Sequence, residues 1–278
     1  MQKRLMAIND ISCLGKCSLT VALPVISACG IEVCPVPTAI LSTHTGGFTG
    51  YSFKDLSEDI GDITSHWETL KLQFDGIYSG YLGSISQIEY VKDTIKKFKS
   101  EKTLIVVDPV MGDFGRLYAG FTEDFVEEMV SLCKEADVIT PNITEACFMT
   151  KTPYKEPPFT NDYIETLMEK LKKICSKNIV LTGVSFDNKT MGSAVFDGKE
   201  IKYIFAEKLE GRFHGTGDVF ASSFVGAYMS GKSLIDASAT AVNFVVDCIK
   251  KTMETKDIHY GVEFEKCIPK LLEYVGLI

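Results

Sequence analysis

The chain has 278 residues, of which 45% are hydrophobic and 24% are charged, a composition typical of a globular protein with a sizeable core. Its formal net charge of -8 argues against nucleic acid as the main partner, because phosphate backbones bind to basic surfaces. No apolar run is long enough to cross a membrane, and the nine cysteines follow neither a metal-binding nor a disulfide pattern, so we expect a cytoplasmic protein with reduced thiols.

Short apolar runs alternate along the chain with longer amphipathic segments. The short runs predict strands at residues 4–10, 32–40, 74–82, 103–110, 137–142 and 178–184. Apolar residues at i, i+3 and i+4 spacing predict helices at residues 87–100, 122–136 and 161–175. This alternation is typical of an α/β fold in which helices cover both faces of a mostly parallel β-sheet.

A different pattern follows at residues 192–209, where Asp197 and Gly198 separate two segments of alternating polarity. An Asp-Gly pair in that context predicts a β-hairpin late in the chain. Two or three consecutive helices are then predicted to complete the fold. Because no linker, repeat or low-complexity segment interrupts residues 1–278, we expect a single domain.

Polar side chains recur where the predicted strands end. Asn9 and Asp10 end the first strand, Asp108 ends the apolar part of the fourth, and Asn142 and Thr182 lie at the ends of the next two. Open parallel sheets bind ligands beyond the carboxyl ends of their strands, so these side chains are expected to meet in one cleft. Each residue alone is also a common turn former, but the recurrence on several strands favours a binding site.

The segment GAYMSGKS, residues 226–233, fits the phosphate-binding pattern GxxxxGK[ST]. That motif needs a strand before its loop, whereas apolar residues with helical spacing run through Gly226. We therefore expect Gly226 inside a helix, Gly231 just after its end and Ser233 at the start of the next helix. Lys232 is accordingly interpreted as a structural residue and not as a phosphate ligand.

The segment GRFHGTGDVFASSF, residues 211–224, predicts a helix that begins at a glycine-rich turn. Unpaired N–H groups and the helix dipole make such a start an anion-binding site, which Gly215 and Gly217 would let an anion approach closely. We expect Asp218 to stay ionised there, since the dipole favours negative charge, and to accept a proton. The alternative is that Asp218 only caps its helix.

Several motifs taken together resemble the pyridoxal kinases of the ribokinase-like superfamily. They are NDISCLGKCSLTVALP, LSTHTGGFTGYSF, YSGYLGS, DPVMGDFG, TPNITEA and HGTGDVFASSFVGA, in the order and approximate spacing of that family. The resemblance implies a cytoplasmic homodimer that uses ATP to phosphorylate the 5′-hydroxymethyl group of vitamin B6 (pyridoxal, pyridoxine or pyridoxamine). It also implies Mg²⁺ and a monovalent cation such as K⁺, and no nucleic acid or membrane partner.

The same resemblance implies a role for individual residues, in four groups. The catalytic group is the base Asp218 with an anion hole formed by Gly215, Thr216 and Gly217. The ATP-binding group is Asp108, Asp113, Thr140, Thr182 and Gly183. The metal group, which would hold magnesium through water, is Asn142 and Glu145. The vitamin-binding group is Ser12, His44, Thr45 and Tyr81.

Residues 111–121, MGDFGRLYAGF, resemble a flap that covers the nucleotide. The resemblance implies that Gly112, Gly115 and Gly120 allow this flap to move. The segment is shorter than its counterpart in some eukaryotic relatives, so the way in which the flap controls ATP access is not carried over.

Two alternative functions remain open at the level of the sequence. One is a hydroxymethylpyrimidine kinase of the same superfamily, although such enzymes commonly have cysteine where this chain has Asp218. The other is a carrier that binds the vitamin without turnover, which would not need Asp218 or the glycines before it. Some of the implied site residues also have structural alternatives: His44 as a hydrogen-bonded loop residue, Tyr81 as a core residue and Glu145 as a helix cap.

Overall fold

The computed structural model describes residues 2–255 and 259–278. Its strands are β1 (Arg4–Ser12), β2 (Glu32–Leu41), β3 (Phe53–Asp55), β4 (Gly76–Ser79), β5 (Leu104–Val107), β6 (Gly112–Asp113), β7 (Arg116–Leu117), β8 (Val138–Ile139), β9 (Asn178–Val184), β10 (Thr190–Phe196) and β11 (Ile201–Glu207). Its helices are α1 (Leu19–Ala28), α2 (Ser57–Thr69), α3 (Ile85–Phe98), α4 (Glu123–Cys133), α5 (Ile143–Thr150), α6 (Asn161–Leu171), α7 (Thr216–Met229), α8 (Leu234–Thr255) and α9 (Ile268–Val275). Over these two ranges we find no helix that combines the length and the apolar composition that a bilayer crossing requires.

Most of the strands form one sheet in the order β11-β10-β9-β8-β5-β4-β1-β2-β3. The strands from β9 to β2 in this order are parallel. Antiparallel pairs lie at the two edges: β2 with β3 at one, and β9 with β10 and β10 with β11 at the other. A separate hairpin pairs β6 with β7. The parallel arrangement brings the carboxyl ends of β1, β4, β5, β8 and β9 to the same edge of the sheet.

Both faces of the sheet are buried under helices. Along β5, Ile105 and Val107 pack in the core formed with α2 to α6, while Val106 packs on the opposite face with α1, α7 and α8. β1 shows the same alternation, with Met6 on the first face and Leu5 on the second. Because successive side chains of a strand point to opposite faces, burial of both faces requires the continuous apolar runs seen in the sequence.

The predicted fold class is confirmed. Each predicted strand coincides with an observed one to within a few residues, and Asp197 and Gly198 lie in the loop between β10 and β11, where Gly198 has φ +85°. The sequence did not predict α1, α2, β3 or the β6–β7 hairpin. β6 and β7 have two residues each, too few for a periodic pattern. α1 is apolar on several sides because it contributes to two core clusters, so it has little amphipathic signal.

Candidate active site

Acidic side chains meet at the carboxyl edge of the sheet. Asp10 lies near the end of β1, Asp108 directly follows β5, and Asp218 lies in the first turn of α7. Asp10 and Asp108 are buried, with 4% and 8% of their surface exposed. Burial raises the pKa of both Asp108 and Asp218, and a neighbouring carboxylate adds to each shift, Asp218 for Asp108 and Asp10 for Asp218. The strand ends therefore converge as expected from the alternation of strands and helices.

Burial raises the pKa of Asp218 to about 7; the backbone N–H of Ser18 lowers it and the negative charge of Asp10 raises it further. This corrects the expectation that the helix dipole keeps Asp218 fully ionised, because the loss of hydration outweighs the dipole. Burial also raises the pKa of Asp108. The hydroxyl of Thr140, which donates to Asp108 Oδ1 at 3.0 Å, lowers this pKa and so offsets part of the shift. A pKa near 7 makes Asp218 a stronger proton acceptor than an ordinary carboxylate.

The glycine-rich turn before Asp218 packs against the loop that follows β1. Gly215 has φ +77°, and a Cβ atom at this position would lie 2.0 Å from the carbonyl oxygen of Lys16. Glycine is therefore required at Gly215 for both its conformation and its close contact. At Gly217, by contrast, a Cβ atom would point into open space.

The first N–H groups of α7 are available to a ligand. Among the described residues, no side chain caps the start of this helix. The hydroxyl of Thr216 donates instead to the carbonyl of Phe213 at 3.3 Å. The N–H groups of Thr216 and Gly217 precede the first intrahelical bond, so they can bind an anion that approaches the turn.

Ser18 is a site residue that the motifs did not indicate. Its backbone N–H offsets part of the burial-raised pKa of Asp218, and its side chain does the same for Asp10, so both groups lie near these carboxylates. Its φ is +55°, which is uncommon for a residue other than glycine and often occurs at functional sites. A serine before an apolar helix resembles an ordinary N-cap, and its backbone conformation leaves no mark in the sequence.

Asn142 and Glu145 form a capping box at the start of α5. Asn142 Oδ1 accepts the N–H of Glu145 at 2.9 Å, and Glu145 Oε2 accepts the N–H of Asn142 at 2.8 Å. Glu145 Oε1 also accepts the N–H of Met111 at 3.2 Å, and Asn142 Nδ2 donates to the carbonyl of Gly112 at 2.9 Å. Burial and then the charge of Asp108 raise the pKa of Glu145. The structure therefore shows that Glu145 caps its own helix.

The predicted flap is a tight β-hairpin made by β6 and β7. Its tip is Phe114 and Gly115, with φ +50° and +73°. A Cβ atom at Gly112 would lie 2.5 Å from the carbonyl oxygen of Arg116 on the paired strand, so this glycine allows the strands to approach. The N–H of Gly115 donates to the hydroxyl of Thr144 at 2.9 Å. Gly112 and Gly115 are therefore required by the hairpin geometry, whether or not the hairpin moves.

The remaining residues of the ATP-binding group lie near the start of α5. The carboxylate of Asp113 accepts the N–H of Phe114 at 2.8 Å in the hairpin. The N–H of Thr182, in β9, donates to the carbonyl of Pro141 at 2.9 Å. Gly183 follows with φ +76°. The end of β9 is thereby joined to the loop that carries the capping box.

Two residues of the expected vitamin-binding group are linked to the carboxylate cluster through β1. The hydroxyl of Ser12 donates to Asp10 Oδ2 at 3.1 Å. The N–H of Tyr81 donates to Asn9 Oδ1 at 2.8 Å, and its ring lies 5.8 Å from that of Phe121. Tyr81 is only partly buried, so its ring is not a plain core residue.

His44 is held by backbone groups on both of its ring nitrogens. Nδ1 accepts the N–H of Gly46 at 3.1 Å, and Nε2 lies 3.1 Å from the carbonyl oxygen of His259. A carbonyl can only accept, so Nε2 carries the proton. Burial lowers the pKa of His44 and keeps the ring neutral. These contacts support the interpretation of His44 as a loop-shaping residue, whereas Thr45 beside it is exposed.

The structure supports the structural interpretation of the GAYMSGKS segment. Gly226 lies inside α7, Gly231 follows the helix with φ +108°, and Ser233 Oγ accepts the N–H of Asp236 at the start of α8. Lys232 thus lies beyond the carboxyl end of α7, at the opposite end of the helix from the glycine-rich turn. Lys232→Ala is expected to change turnover by less than about threefold, measured by steady-state kinetics, because substitutions away from a site usually cost little. A loss of several orders of magnitude would contradict this placement.

Comparison with known proteins places the chain in a family. Residues 22–263 match the family described as phosphomethylpyrimidine kinase. A Bacteroides thetaiotaomicron structure, provisionally described as a phosphomethylpyrimidine kinase and crystallised in an orthorhombic form with pyridoxal, is 37% identical with a TM-score of 0.91, over 98% of this chain and 96% of that one. The structure of pyridoxal kinase from Lactobacillus plantarum is 32% identical with a TM-score of 0.90, over 98% and 97% of the two chains.

Among curated proteins, the pyridoxal kinase PdxY of Pasteurella multocida is 29% identical over 235 residues, which are 81% of this chain and 80% of that protein. The residues matched by the family, 22–263, include the β6–β7 hairpin and the glycine-rich turn. The chain therefore belongs to the phosphomethylpyrimidine kinase family, in the ribokinase-like superfamily, and is similar over most of its length to pyridoxal kinases.

Proposed function

We propose that this chain transfers the terminal phosphoryl group of ATP to the 5′-hydroxymethyl group of vitamin B6, in the form of pyridoxal, pyridoxine or pyridoxamine. The observation that carries the proposal is the position of Asp218, whose pKa is about 7, beside the unpaired N–H groups at the start of α7. Phosphoryl transfer to a hydroxyl needs a proton acceptor and an anion-binding site next to each other. The Bacteroides relative crystallised with pyridoxal supports the vitamin as the acceptor.

In the proposed reaction, the hydroxymethyl oxygen attacks the γ-phosphorus of ATP. The new O–P bond forms as the bond from the γ-phosphorus to the bridging oxygen breaks, and the electron pair of that bond stays on ADP. Asp218 accepts the hydroxyl proton, while the N–H groups of Thr216 and Gly217 stabilise the charge on the transferring group. Burial and then the negative charge of Asp10 keep the carboxylate of Asp218 basic, while the nearby N–H of Ser18 offsets part of this effect.

The donor set around Asp108 and Glu145 fits a hydrated magnesium ion. Both side chains are buried carboxylates with raised pKa values, and a cation would relieve their repulsion. No cluster of three or more His, Cys, Asp or Glu side chains within the described ranges is arranged to hold a metal ion by itself. Asp108 and Glu145 would hold magnesium through water, and Asn142 would keep Glu145 in position. Bound magnesium would neutralise charge on the nucleotide phosphates.

A hydroxymethylpyrimidine kinase is the second candidate, favoured by the description of the matched family. The same base and anion hole could act on the hydroxymethyl group of a pyrimidine. Such enzymes commonly have cysteine at the position of Asp218, and this difference favours the vitamin. A carrier that binds the vitamin without turnover is the third candidate, and it would leave the base and the open helix start without a role.

A substrate panel tests these candidates. Pyridoxal, pyridoxine, pyridoxamine and hydroxymethylpyrimidine are each incubated with magnesium and ATP, and the phosphorylated products are measured by mass spectrometry. We expect turnover of the vitamers with kcat/KM at least about tenfold above that of the pyrimidine, since a polar mismatch costs more than 1.4 kcal/mol. Turnover of the pyrimidine alone would establish the second candidate. Tight vitamin binding without any product would establish the carrier.

The pKa of Asp218 predicts how activity depends on pH. The base must be ionised, so kcat/KM for the vitamin is expected to rise with pH and level off above about pH 7. Stability of the ligand-free protein is expected to change in the opposite direction. A carboxyl group whose pKa is raised by folding binds its proton more tightly in the folded state, so stability falls as pH rises from about 4 to about 7. Initial rates and thermal unfolding across this range check both slopes, and a flat rate profile would contradict the role of Asp218.

Glu145→Gln tests the metal group. Glutamine is accepted at this position of a capping box, so the helix start should survive with a stability change within about 1 kcal/mol. We expect the magnesium concentration at half-maximal rate to rise and turnover to fall, because the variant lacks the negative charge that attracts the ion. Vitamin binding without nucleotide should stay unchanged.

Glu123→Gln is the matched control, because Glu123 lies in the first turn of α4, where Thr122 provides the cap. This control should leave the magnesium dependence unchanged. An unchanged magnesium curve in Glu145→Gln, together with a lower unfolding temperature, would leave Glu145 with a capping role alone.

A further inference from the structure

Arg212 lies between the two segments that flank the proposed nucleotide site. Its guanidinium carbon is 4.6 Å from the centroid of the Phe114 ring, at the tip of the β6–β7 hairpin. In the sequence Arg212 shortly precedes Gly215, where the glycine-rich turn begins. Burial raises the pKa of Asp113, and the positive charge of Arg212 offsets part of this shift, so the cation also lies close to that carboxylate. Arg212 therefore contacts the flap and leads into the anion-binding turn.

The hydrogen-bond donors of Arg212 are free to bind a ligand. Within residues 2–255 and 259–278 its guanidinium makes no salt bridge, whereas Lys16, the basic residue of the neighbouring loop, is paired with Glu263 and Glu265. The guanidinium lies on the face of Phe114, a ring that is 54% exposed. A cation on an exposed aromatic ring is held weakly and keeps its N–H groups for other acceptors.

The proposed nucleotide site has an excess of negative charge. Asp10, Asp108 and Glu145 are buried acidic side chains, and the partly buried Asp218 lies at the same edge of the sheet. A triphosphate adds further negative charge, which one magnesium ion only partly offsets. Lys232 is about 20 Å away along α7 at about 1.5 Å per residue. Of the basic residues described, Arg212 is thus well placed to balance this charge.

The backbone at the hairpin tip explains how Arg212 is held in this place. Phe114 has φ +50°, which is unfavourable for a bulky residue and is tolerated here because the two-residue turn requires it. This conformation places the Phe114 ring at the surface, under the guanidinium. The hairpin is anchored through the bond from the N–H of Gly115 to Thr144. The guanidinium of Arg212 therefore rests on a ring at the tip of an anchored hairpin.

We propose that Arg212 is a phosphate-binding residue, whose guanidinium leaves the face of Phe114 and binds oxygens of the β- and γ-phosphates of ATP. This rests on the ATP-dependent kinase function proposed above. The exchange is favourable because two parallel, charge-assisted hydrogen bonds to phosphate are stronger than an exposed contact with an aromatic ring. The positive charge of Arg212, placed next to the γ-phosphate, would also stabilise the transferring group. Arg212 is then a catalytic residue supplied by the segment that leads into the glycine-rich turn.

Nucleotide binding to Arg212→Gln tests the proposal without the vitamin. Calorimetry with magnesium present compares ATP with AMP, which lacks the β- and γ-phosphates. Arg212→Gln should weaken ATP binding by about tenfold or more and change AMP binding by less than about twofold. Arg212→Lys should recover part of the ATP affinity, because it keeps the charge but not the planar donor pair. Arg4→Gln, at the opposite end of β1, is the matched control and should change neither affinity.

Steady-state kinetics provide the second measurement. Arg212→Gln should raise KM for ATP and lower kcat, with KM for pyridoxal within about twofold of the wild-type value. Unchanged ATP affinity in a folded Arg212→Gln protein would overturn the proposal, and so would an equal loss of ATP and AMP binding. If ATP affinity depends on Arg212 but no vitamer is phosphorylated, the phosphate role stands and the proposed substrate fails. If the wild-type protein binds no ATP, both proposals fail.

Discussion

Asp218→Asn is expected to lower kcat by about two to four orders of magnitude while the protein stays folded. The amide keeps the size and a polar oxygen of the wild-type side chain, but it cannot take the proton of the hydroxymethyl group. Because burial raises the pKa of Asp218 to about 7, the folded protein already favours a neutral group at this position. The unfolding temperature should therefore be kept or slightly raised, most clearly above pH 7, where the wild-type carboxylate is charged.

Asp236 provides the matched control for this substitution. It is the third residue of α8, as Asp218 is the third residue of α7, and the side chain of Ser233 caps its helix. Asp236→Asn should cost at most about 1 kcal/mol of stability and leave turnover unchanged. Steady-state kinetics with pyridoxal and thermal unfolding are measured for both variants. If Asp218→Asn lost stability and kept its turnover, Asp218 would be a cap and the proposed mechanism would be wrong.

The place of the carboxylate cluster could be predicted from the sequence. A strand buried on both faces is a continuous apolar run, and its end is marked by the first polar residue, here Asn9 in β1 and Asp108 after β5. Parallel strands end at the same edge of the sheet. The positions of these residues at the strand ends were therefore enough to predict that they lie close together. The prediction that Gly226 lies inside a helix is also confirmed. It too depended on local spacing, because apolar residues at helical intervals around Gly226 indicated a helix and not a phosphate-binding loop.

The chemistry of the cluster could not be predicted, because it depends on contacts between distant segments. The pKa of Asp218 reflects burial and the neighbouring Asp10, and neither is visible in the motif that contains Asp218. The need for glycine at Gly215 comes from the carbonyl of Lys16, in the first loop of the chain. His44 owes its fixed orientation to the carbonyl of His259, near the other end. In each case the sequence identified the residue, and the fold supplied the partner that determines what it does.

Gly217→Ala is expected to separate phosphate binding from folding at the glycine-rich turn. Gly217 lies in the first turn of α7 without a positive φ, and an added Cβ atom would meet no protein atom within 4 Å. Alanine is favoured over glycine in a helix by up to about 1 kcal/mol, so the variant should be as stable as the wild type or more so. The new methyl group would nevertheless stand where an anion must approach the backbone. We expect kcat/KM to fall by about two to three orders of magnitude, similar to the loss of one donor of an anion hole.

Gly215→Ala is the companion variant, and it should behave differently. Its Cβ atom would lie 2.0 Å from the carbonyl oxygen of Lys16, at a φ of +77° that alanine disfavours, so stability and activity should fall together. Thermal unfolding and steady-state kinetics of both variants distinguish a turn that only shapes the fold from one that also binds phosphate. A stable Gly217→Ala protein with full activity would show that the phosphoryl group does not approach this turn. The anion hole would then have to be sought elsewhere along the carboxyl edge of the sheet, although the start of α7 would keep its observed geometry.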